Sequence, residues 1–567
     1  MTASSELRDR AVAWIASDVD EQDRAELTAL LADDSPEAAE DLAARFAPRL
    51  RFGPEGLRGQ TGAGPARVNR ATVTTATAAV ADWLLSREPA AAQAGVIIGS
   101  DGRCRGEAYA EQAARVLAGA GIRVVLLPGG RPGPFLVYGV RFFDAAAGIM
   151  IGAGNGPATE NGYRVYAADG AQLVPPADTD IDAAIERAGP ASSIAVAPPD
   201  SPLVSRPGEE LARAYLDRIC SEFGPAPASA AWLRFAYTPL HGVAGDLALR
   251  AFEQAGFTAP DVVEAQLAPD PGFPTVRVPS VEETGSLDLA VAVARRSAAD
   301  LVLATDADGG RLAVAVADAA AAGGFRQLTG DQVGALLGAF VLGRLAAQPG
   351  VVMAEQLVAS TVLCGSLLAK IAAAAGAQHV QTPAGFGWLA RAGDLRDGLK
   401  FAYGYSEDLG YAVSGAVRDA DGISAALAVL GLAAAARAVG ESLQDAYDGL
   451  ELAHGVHLGA RLAVAGSAPV DVMSRLRVSP PVALAGLPVT GVTDYTGGSW
   501  DLPSADMLSF RVPGARVMIW PGSTEQVTRA YVEVVEPLGG RPLASARQDA
   551  EVRLGELRVA VTDVLGA

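Results

Sequence analysis

Cysteine is scarce. Cys104, Cys220 and Cys364 are the only three in 567 residues, too few and too far apart for a disulfide framework or a paired-thiol metal site. They read as free thiols in a reducing compartment, which favours the cytoplasm. Histidine is nearly as rare, with four residues. His241 reads as structural and His379 as half-buried, and only His454 and His457 are close enough to share a helix face. Positive charge is in deficit: 45 Lys and Arg against 65 Asp and Glu leave a net charge of −20. Such a balance disfavours nonspecific binding to nucleic acid or an anionic membrane, and it favours solubility. The chain also lacks a long apolar run. The longest, residues 423–436, is stopped by Arg437 below spanning length and reads as a buried alanine-rich helix. Residues 1–10 contain no apolar core of a signal peptide.

The length predicts three to four domains. Half the residues are hydrophobic and 19% are charged, so most of the chain should fold as ordinary globular protein. Residues 6–48 have helical periodicity and are expected to pack outside the first domain. From residue 95 strands and helices alternate: strand 96–99, helix 107–119, strand 122–127, helix 134–142 and strand 145–151. This rhythm predicts a mostly parallel sheet. The last of these strands runs into Gly152-Ala153-Gly154-Asn155-Gly156-Pro157, a glycine-rich turn of the kind that presents backbone N–H groups to a ligand at a sheet edge. A Pro/Ala/Ser-rich linker at 189–207 precedes a second unit with a helix at 244–256, a strand at 261–265, a helix at 286–296 and a strand at 301–304. A third unit of similar rhythm begins near residue 328, and the final part mixes short strands with a helix at 543–556. Three units of similar size and rhythm look like diverged copies of one fold.

Several motifs, in order, resemble those of the α-D-phosphohexomutases (phosphoglucomutases and phosphomannomutases). Phe52–Gly59 resembles F-G-T-x-G-L-R-G, Asp101 and Arg103 match D-x-R, and residues 152–164 resemble T-A-S-H-N-P-x-x-x-N-G-Y-K. Residues 238–243 match T-P-L-H-G-V. Residues 306–311 resemble D-x-D-x-D-R, residues 405–411 F-E-E-A-x-G-Y, and residues 520–531 R-P-S-G-T-E-P-K-L-K-x-Y. The resemblance covers nearly the whole chain from about residue 50. It implies an α/β, four-domain phosphohexomutase architecture: three similar α/β domains with mixed sheets and a smaller C-terminal α+β domain around a central cleft. The boundaries expected are 1–48 for the helical extension, 49–200, 207–325 and 326–440 for the three α/β domains, and 441–567 for the last.

The frame of these motifs is kept and the chemistry is not. Gly154 stands where the family carries its phosphorylated serine, and Asn155 where it has histidine. Thr159 is a remote substitute nucleophile. Arg58 is a retained candidate for the active site, although a glycine-flanked arginine is equally a solvated loop residue. In the metal loop Asp306 and Asp308 remain and Gly310 replaces the third carboxylate. The two aspartates form either a solvated turn or a weak Mg²⁺ site. The substrate-binding positions are Arg311, Ser406, Glu407 and Asp408, with Ser406 replacing a carboxylate and Gly387 a lysine. Residues 418–424 match the family's helix start, whose role there is structural. In the phosphate-binding loop Ser523, Thr524 and Arg529 remain, while Trp520 replaces an arginine and Val527 a lysine.

Losses at four separated motifs argue against ordinary mutase catalysis. The expected function is a phosphohexomutase homologue without the phosphoserine mechanism. It would bind a small-molecule sugar phosphate or a derivative, or act as a partner subunit, in a homo-oligomer or with an active relative. The alternative is an enzyme that reuses the old cleft, with Glu407, Asp408, Asp306 and Arg58, for other acid–base chemistry on a sugar or a nucleotide-derived substrate. A third reading is an intramolecular phosphotransferase with an unrecognised nucleophile.

Overall fold

The structure, a computed structural model, describes residues 5–465, 468–498, 503–521 and 527–566. It divides into two compact units: the chain up to Gln327 with Gly410–Gly431, and Leu328–Leu409 with the chain from Leu432 onward.

In the first unit, helices Ser5–Ser17, Glu21–Ala32 and Pro36–Arg45 precede the first sheet. Asp20 and Ser35 cap the second and third helices by accepting from backbone N–H groups, which satisfies otherwise orphaned donors. The helices close on Ala11, Leu27, Leu42, Phe46 and Ala63. Arg105 ties them to the sheet domain by donating to Asp23 at 2.6 Å and Asp20 at 2.8 Å.

The first sheet has six strands: β1 (Leu57–Gln60), β2 (Val96–Ser100), β3 (Val124–Gly130), β4 (Ala147–Ile151), β5 (Glu160–Ala167) and β6 (Val204–Ser205), in the order β1-β5-β4-β2-β3-β6. Strands β4, β2, β3 and β6 run parallel, and the apolar runs of β2 and β4 are buried throughout. Strand β5 is antiparallel to both β4 and β1, so the sheet is mixed. The glycine-rich turn is therefore the loop of a β4–β5 hairpin.

The second sheet repeats the plan with β7 (Phe235–Thr238), β8 (Asp261–Val262), β9 (Leu301–Thr305), β10 (Leu312–Ala317) and β11 (Phe325–Gln327), ordered β11-β10-β9-β7-β8. Here β9 is parallel to β7 and antiparallel to β10, and the 306–311 loop joins that hairpin. Strand β8 is shorter than the expected 261–265. The neighbouring helix spans Asp288–Ser297.

In the second unit β12 (Gln356–Thr361) lies between β13 (Gln378–Thr382) and β14 (Lys400–Tyr405), all parallel, and residues 406–409 follow β14. The C-terminal sheet is antiparallel, with Val456–Ala465, Val527–Glu536, Ala515–Trp520, Leu508–Val512 and Gly491–Asp494 side by side. A helix covers it at Leu543–Leu565, longer than the expected 543–556, and buries Ala546, Ala550, Leu554, Leu557 and Val561 at helical spacing. His454 ends one helix and His457 lies in the following strand, so they share no helix face. Among the described residues no single helix is long and apolar enough to cross a membrane.

Candidate functional site

Two buried residues beyond the end of β2 build the glycine loop. Asp101 Oδ2 accepts from the Ala153 N–H at 3.0 Å. The Arg103 guanidinium donates to the carbonyls of Gly154 (2.8 Å), Gly156 (2.6 Å), Pro157 (2.6 Å) and Glu160 (3.2 Å), so one side chain satisfies four carbonyls. Burial raises the Asp101 carboxyl, opposed by Arg103, and burial lowers the Arg103 guanidinium. The glycines have separate causes. A Cβ on Gly152 would lie 2.2 Å from Asp101 Oδ2, and one on Gly156 would lie 2.4 Å from Arg58 Nη2. Gly154 is set by its backbone, with φ +55° in the left-handed region. Asn155 is half-buried and Thr159 is exposed. Arg58 lies on β1 and donates through Nε to Glu160 Oε2 at 2.9 Å.

The second hairpin loop reaches the first through Arg164 on β5. Arg164 Nη2 donates to Asp308 Oδ2 at 2.5 Å. A Cβ on Gly154 would lie 3.2 Å from that same oxygen and 3.9 Å from Arg164 Nη2. The family's serine position, the second metal-loop aspartate and Arg164 thus meet at one point. Asp308 Oδ1 accepts from the Gly310 N–H at 3.3 Å. Asp306 is fully buried; its Oδ1 accepts from the Arg311 N–H at 2.9 Å, and Arg311 Nη1 stands 3.5 Å from its Oδ2. Burial and the neighbouring Asp308 charge push the Asp306 carboxyl up. Burial acts the same way on Asp308 and is the largest single influence, but the charge and hydrogen bond of Arg164, the Arg311 charge and the Gly310 N–H together outweigh it and hold this carboxyl below its usual range.

Residues 410–422, which run into the helix start expected at 418–424, pack against this loop. The Gly422 N–H donates to Gly309 O at 3.0 Å. Tyr215 donates to Asp421 at 3.0 Å, and Arg418 stands 3.6 Å from Asp169. Burial raises the Asp419 carboxyl to about 6, against the charge of Arg164.

The 306–311 loop fits the family's magnesium poorly. Mg²⁺ requires a near-octahedral set of oxygens. Gly310 supplies no carboxylate, and the oxygens of Asp306 and Asp308 are taken by Arg311, Arg164 and a backbone N–H. Among the described residues no group of three or more His, Cys, Asp or Glu side chains is gathered as a metal site.

In the second unit Glu407 Oε2 accepts from Thr361 Oγ1 at 2.7 Å, with Cys364 Sγ 4.0 Å away. Burial and the Asp408 charge push the Glu407 carboxyl well above its ordinary range. Ser406 donates to Asp408 Oδ1. Beneath them Asp331 Oδ1 accepts from the Gly365 N–H and from Tyr405 Oη, both at 2.8 Å. Trp520, at the family's arginine position, packs with Leu363, Met507, Met518 and Tyr531. Arg529 faces it across the strand pair. Ser523 and Thr524 lie outside the described residues.

The structure therefore gathers Gly154, Asp306, Asp308 and Arg311 in the first unit, with Arg58 beside the glycine loop, and Ser406, Glu407 and Asp408 in the second. Sequence reasoning passed over Arg164, Asp419 and Thr361. The signal for Arg164 was its place after Tyr163, where the family pattern has lysine.

Residues 49–191, 213–321 and 329–451 match, in turn, the α/β/α domains I, II and III of phosphoglucomutase/phosphomannomutase. A probable phosphomannomutase of Haemophilus influenzae is 33% identical over 476 residues, covering 82% of this chain and 93% of that protein. A probable phosphoribomutase of Schizosaccharomyces pombe is 32% identical over 520 residues, covering 87% and 85%. Human phosphopentomutase is 32% identical over 440 residues, covering 74% and 71%. Among solved structures, a putative phosphomannomutase from Thermus thermophilus superposes with a TM-score of 0.64 at 24% identity, covering 90% of this chain and all of that one. The motifs, the mixed sheets and these matches agree, and the chain belongs to the phosphoglucomutase/phosphomannomutase family of α-D-phosphohexomutases.

Proposed function

We propose that this protein binds a sugar phosphate through the family's loops and does not run a phosphoserine mutase cycle at the 152–160 loop. The observation that supports this reading is the Gly154 position. It offers no side-chain oxygen to accept a phosphoryl group, and its open side faces an Asp308 already paired with Arg164. Relatives named phosphomannomutase, phosphoribomutase and phosphopentomutase point to hexose or pentose monophosphates as the ligand class.

Two measurements on the intact chain test the reading. A thermal-shift series with glucose 1-phosphate, mannose 1-phosphate, ribose 1-phosphate and ribose 5-phosphate, each with and without Mg²⁺, should show concentration-dependent stabilisation by at least one of them. Intact mass after incubation with glucose 1,6-bisphosphate should show no phosphate adduct. A stable adduct on residues 152–160, or no stabilisation by any of the four, would overturn the proposal.

A second reading rests on Glu407. A carboxyl raised towards neutrality by burial and Asp408 is suited to exchange a proton near pH 7. On this reading Glu407→Gln removes turnover of a ligand that it still binds.

A further inference from the structure

The 306–311 loop holds two buried carboxylates, Asp306 at 0% and Asp308 at 4% exposure. Two buried carboxylates side by side need compensating positive charge, because unpaired charge is costly away from water. In the family pattern that loop has three carboxylates and a divalent cation. Here Gly310 stands in place of the third carboxylate, and the charge balance differs accordingly. Arg311 serves Asp306 through its backbone N–H and guanidinium. Arg164 serves Asp308 from the neighbouring hairpin, with a direct N–H···O contact.

We propose that Arg164 is an internal counter-ion that takes the place of the divalent cation, so the loop is neutralised by guanidinium groups and does not take up Mg²⁺. This does not depend on which sugar phosphate the protein binds. The residue type matters. Arginine presents a planar fork of donors on a long, fully charged group, whereas lysine, which the family pattern has at this position, is a compact point charge on a flexible stem. The Arg164 side chain is only 21% exposed and that of Asp308 6%, so the pair is weakly screened by solvent. A metal that ligated Asp308 Oδ2 would have to expel Arg164 from that oxygen. Asp419, whose carboxyl also feels the Arg164 charge, is a second anionic group acting on this guanidinium. The loop itself has room for the missing ligand. A Cβ on Gly310 meets nothing nearer than 3.4 Å, so Gly310→Asp restores the third carboxylate without a clash at its first atom.

That permits a test in which the carboxylates stay constant and only the guanidinium changes. Mn²⁺ binding would be measured by calorimetry and by electron paramagnetic resonance on the wild type, Gly310→Asp, and Gly310→Asp combined with Arg164→Lys. Near-ultraviolet circular dichroism would confirm that each is folded. The expected result is weak binding by the wild type, no better than about millimolar, and less than a tenfold gain in Gly310→Asp. The double variant should bind at least tenfold more tightly than Gly310→Asp. If the double variant does not fold, Gly310→Asp with Arg164→Met replaces it under the same criterion. Equal affinity with and without Arg164 would overturn the proposal. So would a wild-type site that binds Mn²⁺ at micromolar concentration and loses it in Asp308→Asn.

Discussion

Gly154 carries two constraints of different kind. Its φ of +55° places it where a β-carbon meets the following carbonyl, at a cost of roughly 1–2 kcal/mol for an L-residue. Its absent side chain also leaves Asp308 Oδ2 3.2 Å from the Cβ position. Gly154→Ser should therefore lower stability by about 1–2 kcal/mol in a denaturant titration. Combined with Gly310→Asp it should still show no turnover of glucose 1-phosphate or mannose 1-phosphate in the ordinary enzyme range of about 1–10³ per second. The two substitutions leave Arg164 on Asp308, Trp520 in its apolar cluster and Ser406 on Asp408. Turnover in that range would show that nucleophile and third carboxylate were all that was missing.

His379, on β13, shows how burial converts to pH dependence. Burial lowers its imidazole to about 4, while an unfolded histidine titrates near 6.5. The neutral ring lies 3.0 Å from Ser360 Oγ. Between those two values the unfolded chain binds the extra proton. This stability contribution is thus complete above about pH 6.5 and is lost as pH falls towards 4. From pH 6.5 to 4.5 the loss from this one group is on the order of 2 kcal/mol. Urea titrations of the wild type and His379→Gln at both pH values should show the wild type losing more, by about that amount.

At the scale of elements, two sheets use the same device. Strands β4 and β9 each run parallel to their neighbours and then turn through a glycine-containing loop into an antiparallel strand. The turn fixes where the loop's side chains point, and β5 brings Arg164 back beside the loop it follows. Residues 410–422 hold the second loop in place through a close backbone approach. A Cβ on Gly422 would lie 2.6 Å from Arg311 O and 2.9 Å from Gly309 O, atoms that cannot move without shifting the loop. Gly422→Ala should cost about 1–3 kcal/mol, as overpacking does. Gly415→Ala in the same segment meets nothing within 4 Å and should stay within about 0.5 kcal/mol. Thermal unfolding of the two variants makes the comparison. Equal effects would mean that the segment does not brace the loop. Sequence periodicity found the parallel strands β2, β3, β4 and β9 and several helices, but it named neither the helices at Arg70–Arg87 and Glu210–Phe223 nor β5. Residues 160–167 are buried at five of eight positions and carry no clean alternation, so their antiparallel direction was not legible.

At the scale of the whole molecule, the chain leaves the first unit at Gln327, returns for Gly410–Gly431 and leaves again. Separate apolar clusters stabilise the parts. One is centred on residues such as Ile98, Leu117 and Ile149, and another on Phe510, Val532 and Leu557. Chains built of distinct cooperative units depart from two-state unfolding. Calorimetry should thus give a total enthalpy larger than the van't Hoff value of the main transition. Gly422→Ala should move the transition of the first unit further than that of the second. A single two-state transition would show that the units unfold as one.

The motifs, the strand rhythm and the missing hydroxyl at Gly154 were determined by the sequence alone. They depend on residue identity and short-range spacing, which a linear chain displays directly. The same holds for family membership, since the family's motifs recur in order along most of the chain. Only the tertiary structure decided what balances the carboxylates that remain. Arg164 and Asp308 are separated by 144 residues, and their meeting depends on two hairpins turning their loops towards one another. The place of residues 410–422 beside the 306–311 loop is of the same kind. Residues 418–422 match the family's helix start, but which backbone they approach depends on how distant strands pair. Burial, and with it the direction in which each carboxyl titrates, follows from that pairing rather than from any neighbour in sequence.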